Sequence, residues 1–124
     1  LFLAAPTMAQ HAALRAFDED SIGILEARRR EFQQRRDFLL PALREIGFDI
    51  PVIPDGALYL YANCSRFSTD SFSFSSRLLE EAGVAITPGI DFGINKPDTH
   101  VRFAYTTSME NLQEGVQRLR AFLA

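Results

Sequence analysis

Few residues in this sequence could do chemistry, and one of them is conspicuous by its place. HVRFAYTTS, residues 100–108, reads as a β-strand with an arginine in its middle. Side chains alternate faces along a strand. Val101, Phe103 and Tyr105 therefore share one face, and His100, Arg102, Ala104 and Thr106 share the other. The first face is apolar and suits a core. The second carries a guanidinium, a permanent cation rarely buried without a partner. That face must meet water, an acid of the protein or an anionic ligand. A planar fork of N–H donors fits a carboxylate bidentately, so the functional reading of Arg102 is a carboxylate clamp. The plainer alternatives are a protein acid beside it or a place at a sheet edge.

The other candidates read as structural. Lys96, the single lysine, lies in the polar loop INKPDT beside a proline. A Schiff-base lysine is normally shielded and positioned by its surroundings, so Lys96 reads as a surface residue. Cys64 ends a strand with no basic partner nearby in sequence and reads as a buried thiol. The two histidines, His11 and His100, are far apart, and neither HExxH nor paired CxxC occurs, so no metal site is expected. Gly89 and Gly93 in PGIDFGIN belong to no phosphate-binding pattern and read as loop support. No GxSxG elbow is present, and the serines of residues 65–76 read as a loop and a helix cap.

The elements that must position Arg102 follow from periodicity and punctuation. MAQHAALRAF is a short helix. A long helix is expected from Ile22 to Ile46, with Leu25, Phe32, Leu39, Leu43 and Ile46 on one stripe, Gly47 as its stop and Pro41 as a kink or restart. Its other face mixes RRR with acids, which reads as a solvated surface rather than a nucleic-acid site. FDIPVIPDG is an extended piece and a turn, ALYLYANC a strand, and residues 70–82 a helix ended by Gly83. VAIT is a short strand and PGIDFGINKPDT a long loop. The Arg102 strand follows. Thr107 and Glu110 have capping-box spacing and open a last helix that points Leu112, Val116, Leu119 and Phe122 inward. The order from residue 20 is helix, strand, helix, strand, strand, helix. The expected fold class is α/β in the α+β two-layer sense: a small sheet covered by helices, with a long N-terminal connecting helix.

Composition bounds the rest. The 124 residues are 47% hydrophobic, enough for a core, and the net charge of −3 argues against a general nucleic-acid binder. A lone cysteine excludes an internal disulfide. No apolar run reaches membrane-spanning length, and LFLAAPTMA lacks the basic flank of a signal peptide.

Taken together, DGALYLYANC, LLEEAGVAITPGIDFG and HVRFAYTTSMENLQEGVQRL resemble the C-terminal small domain of the pyridoxal-phosphate-dependent class I and II aminotransferases, which have the aspartate-aminotransferase-like fold. The resemblance covers nearly the whole chain. It implies that residues 1–19, LFLAAPTMAQHAALRAF and the two after it, are the tail of a large cofactor-binding domain, and that residues 20–124 are the small domain. It implies amino-group transfer between an amino acid and a 2-oxo acid, in amino acid biosynthesis, by a cytoplasmic homodimer without nucleic-acid or membrane partners. Arg102 matches the family's arginine for the substrate α-carboxylate. The cofactor, pyridoxal 5′-phosphate, is implied for a longer parent only. The family's Schiff-base lysine, pyridine-facing aspartate, ring-stacking aromatic and phosphate loop have no match here, so no catalytic, cofactor-binding or metal residue is assigned and these residues alone are expected to be inactive. A decarboxylase or lyase of the same fold, and a non-catalytic carboxylate-binding module, are the alternatives.

Overall fold

The computed structural model describes residues 4–124, so the first three residues of the expected large-domain tail lie outside the described residues. The chain forms two compact units, divided between Gln33 and Gln34. The first holds helix α1 (Thr7–Arg15) and the N-terminal part of helix α2 (Glu19–Ile46). α1 buries none of its residues, and Met8, Leu14, Phe17 and Leu25 are exposed. Arg29 pairs with Glu26 at 2.9 Å on the outside of α2, so the RRR run is the solvated, acid-interleaved face its composition suggests.

Two expectations for α2 need correction. The stripe is not buried along its length: Leu39 and Leu43 are in the core, Phe32 and Ile46 are half-buried and Leu25 is exposed. Periodicity marks a face, but only the last turns of α2 belong to the second unit, where the core lies. Nor does Pro41 restart the helix, which runs through it as one element. The proline removes its own N–H from the ladder.

The second unit contains an antiparallel three-stranded sheet of order β1 (Tyr59–Asn63), β3 (His100–Ala104), β2 (Thr87–Pro88). Helices α3 (Ser71–Ala82) and α4 (Met109–Leu123) complete it. The Arg102 strand is thus central. Its apolar face goes inward as alternation requires: Val101, Phe103 and Tyr105 are buried. Leu60 and Ala62 of β1 join them, with Phe74 and Leu78 of α3, Leu112, Val116 and Leu119 of α4, and Phe48, whose ring meets Phe103 edge-on at 5.0 Å. Phe122 is only half-buried and lies under the Arg77 guanidinium at 5.3 Å.

Helix ends explain the remaining differences. Asp70 caps α3, its carboxylate accepting from the Phe72 and Ser73 N–H groups at 3.0 Å each. Gly83 closes the helix in the left-handed conformation, and the Val84 N–H returns to the Leu78 carbonyl. That turn engages Val84, so β2 is not VAIT but begins at Thr87. α4 is capped by Ser108, one residue later than expected, because Thr107 accepts instead from the Asn111 side chain at 2.9 Å. Beyond β3, the buried Tyr105 donates its hydroxyl to the Ala57 carbonyl at 3.0 Å. This fixes a turn in which Ala57 has φ 63°, a conformation unusual for a side-chain-bearing residue.

Candidate functional site

The outward face of the sheet is built by register. Arg102 stands opposite Tyr61 of β1 on one side and Thr87 of β2 on the other. Residues directly opposite have their Cβ atoms about 5 Å apart and on the same face. Tyr59, Tyr61, Thr87, His100 and Arg102 therefore form one surface. The loop after β2 folds over its edge. Gly89 permits this: a Cβ there would lie 2.4 Å from the Pro97 carbonyl oxygen and 2.7 Å from that of His100. Only a residue without a side chain fits so close a backbone crossing. The fold brings Phe92 across to the sheet as a result.

Arg102 is held by three contacts. Its Nη2 donates to the Thr87 hydroxyl at 3.1 Å. Its guanidinium lies 4.8 Å from the centre of the Phe92 ring and 5.8 Å from that of Tyr59. Aromatic faces attract a cation without neutralising it. Among the described residues no carboxylate pairs with Arg102, so the protein-acid alternative is not what the fold provides. Its Nε is buried and has no hydrogen-bond partner. A buried donor left unpaired, on a half-buried cation, costs free energy.

A cavity of about 460 Å³ opens beside it, lined by Tyr59, Tyr61, Phe92, Gly93, Ile94, Asn95 and Arg102. This is within the size range of small-molecule sites. Its walls are aromatic and apolar, with one cation and one amide. Tyr61 meets Phe92 edge-on at 6.2 Å and stacks on the His100 ring at 5.1 Å. Burial holds the Tyr61 phenol above its ordinary range, with a smaller contribution from Cys64. The arrangement can bind a small anion carrying an apolar or aromatic remainder.

The other sequence candidates lie elsewhere. Cys64 is fully buried and its thiol is pushed up to about 11 by burial. Lys96 is exposed, starts a short 3-10 turn and does not line the cavity. His100 binds the Lys96 carbonyl through Nδ1 at 2.9 Å, and no cluster of potential metal ligands occurs among the described residues. Sequence reasoning found Arg102 but not Thr87, Phe92, Tyr59 or Tyr61. The strand alternation could have supplied Tyr59 and Tyr61; the loop residue Phe92 carries no such signal. A second cavity, about 300 Å³, lies between α4 and residues 83–86, and there Arg118 is already paired with Glu114 at 2.9 Å.

Pyridoxal phosphate finds no fit in these residues. The cavity has no amine for a Schiff base and no acid to face a ring nitrogen.

Comparison with known proteins converges on one family. The profile for aminotransferase class I and II matches residues 1–119. The chain is 37% identical over 123 residues to the (5-formylfuran-3-yl)methyl phosphate transaminase of Methanocaldococcus jannaschii, covering 99% of this chain and 32% of that protein. It is 36% identical to the valine–pyruvate aminotransferase of Mycobacterium tuberculosis, covering 95% and 30%. The crystal structure of an aminotransferase from Mycobacterium tuberculosis superposes with a TM-score of 0.89 at 36% identity, covering 97% of this chain and 31% of that one. A Methanococcus jannaschii structure, described as similar in its active site to kynurenine aminotransferases, gives the same TM-score at 37% identity. The chain spans about a third of the length of the curated relatives it matches. It belongs to the class I and II aminotransferase family.

Proposed function

We propose that these residues are the C-terminal part of a longer pyridoxal-phosphate-dependent aminotransferase, and that Arg102 grips the α-carboxylate of its amino-acid and 2-oxo-acid substrates. The observation that carries this is the guanidinium of a central strand, unpaired by any described acid, facing a cavity of small-molecule size. The names of the relatives support it chemically. Valine, aspartate and asparagine differ in side chain and share an α-carboxylate, which is what a planar cation recognises.

In this reading the chain's task is orientation. Two parallel N–H···O bonds fix both the position and the plane of the carboxylate. The cofactor supplies the electron sink for the reaction, and the residues that hold it lie in the rest of the protein. Residues 1–19 end that larger domain and residues 20–124 form the small one. The enzyme is a cytoplasmic homodimer acting in amino acid biosynthesis, and the 124 residues alone neither bind the cofactor nor transfer an amino group. The curated relatives named above are both transaminases, which favours transfer over decarboxylation or lysis.

The test is an assay of the full-length protein supplied with pyridoxal phosphate, an amino acid and a 2-oxo acid, with both products followed by mass spectrometry. Appearance of the exchanged pair is expected. Release of carbon dioxide or ammonia without exchange would contradict the reading.

A further inference from the structure

Arg102 does not offer all of its donors equally. Nε is sealed from solvent and from any ligand, yet the guanidinium lines the cavity. The end that faces the cavity is therefore the Nη1/Nη2 pair. One of these, Nη2, is tied to the Thr87 hydroxyl at 3.1 Å. The tie is dictated by register, since Thr87 and Arg102 are opposed residues of β2 and β3. An arginine has a long, flexible stem, and its fork is useful only when its plane is fixed. The Phe92 and Tyr59 rings restrict the plane, but a ring face is a broad attraction and leaves rotation about the guanidinium axis free. The Thr87 hydroxyl is directional.

We propose that Thr87 is a positioning residue for substrate binding: its hydroxyl sets the rotation of the Arg102 guanidinium, so that a carboxylate is received end-on by Nη1 and the remaining hydrogen of Nη2. This rests on the reading of Arg102 as the carboxylate grip. β2 consists of only Thr87 and Pro88; neither lines the cavity, and the hydroxyl of Thr87 acts on it through Arg102. Two residues of strand are enough, because the cross-strand pair needs one register position.

The experiment uses the full-length enzyme with Thr87→Val, which keeps the shape and removes the hydroxyl, and Thr87→Ser, which restores it. The readout is the inhibition constant of propanoate, a carboxylate with no amino or oxo group, against turnover, with propanamide as the uncharged control. Thr87→Val is expected to weaken propanoate roughly three- to tenfold, the size of one net hydrogen bond, with propanamide unmoved and kcat at saturating substrate changed less than kcat/KM. Thr87→Ser is expected to return propanoate to within about twofold of the parent. A general structural defect would shift both probes together and would overturn the proposal. So would a Thr87→Val enzyme with parental propanoate affinity. If Arg102→Ala then abolishes propanoate inhibition, the carboxylate grip stands and only the role of Thr87 falls; if Arg102→Ala is also parental, the grip itself is wrong and the inference falls with it.

Discussion

On the reading proposed above, Arg102 and its neighbours divide into groups that meet a ligand and groups that hold the first group still. Gly89 belongs to the second. Its close approach to two carbonyl oxygens leaves no room for a methyl group, and those oxygens are backbone, which cannot swing aside. Gly89→Ala should displace the loop that carries Phe92 and lower stability by about 1–3 kcal/mol, the usual cost of overpacking. Denaturant unfolding would measure this. Cys64 makes the opposite prediction, one of inertness. With its thiol pushed up to about 11 and no exposed surface, it carries little thiolate at pH 8. Iodoacetamide should leave the folded protein unmodified and add one adduct after denaturation, as read by intact mass. Alternation singled out Arg102 as a charge that needs a partner, but left a protein acid, a sheet edge and a ligand all open; its carboxylate role came from the family resemblance. Thr87 and Phe92 were not legible, because their proximity to Arg102 comes from register and from the path of a loop, neither of which has a period in sequence.

Helix caps and strand pairings decide how these residues are presented. Asp70 holds the start of α3, and its bonds to Ser73, side chain first and then backbone, keep its carboxyl below the ordinary range. A depressed folded value means that this stabilisation is fully present above the ordinary carboxylate pKa and is lost as pH falls through the folded value. Asp70→Ala should therefore lower the melting temperature at neutral pH and have less effect in strong acid. Asp70→Asn retains an acceptor and should remove the pH dependence of this contribution; parallel melts from pH 2 to 7 would check it. Most element identities followed from punctuation, as at Asp70 and Gly83, whereas Pro88, read as the start of a loop, is the second residue of β2. The errors have physical causes. Thr107 and Ser108 are both competent caps, and the choice between them turned on the Asn111 side chain. The α2 stripe gave the right face and the wrong extent, since a period does not say where a core ends. Leu43→Ala should accordingly cost about 2–5 kcal/mol while Leu25→Ala in the same chain costs little.

As a whole, the second unit holds a small core and, on the reading proposed above, one side of a small-molecule site. The second unit buries both helix faces and the inward face of its sheet, while the outward face presents Tyr59, Tyr61, Phe92 and Arg102 at the surface. A face with this composition is suited to a ligand and to whatever else encloses it. Family membership agrees, with relatives about three times as long over which the match stays within one third. Among the described residues no helix is long and apolar enough to cross a membrane. The decisive test is the steady-state kinetics of Arg102→Ala in the full-length enzyme. Losing two charge-assisted hydrogen bonds should raise KM and lower kcat/KM by roughly a hundred- to ten-thousandfold. A variant with kcat/KM within about twofold of the parent would show that the carboxylate is held elsewhere and that Arg102 has no part in binding it.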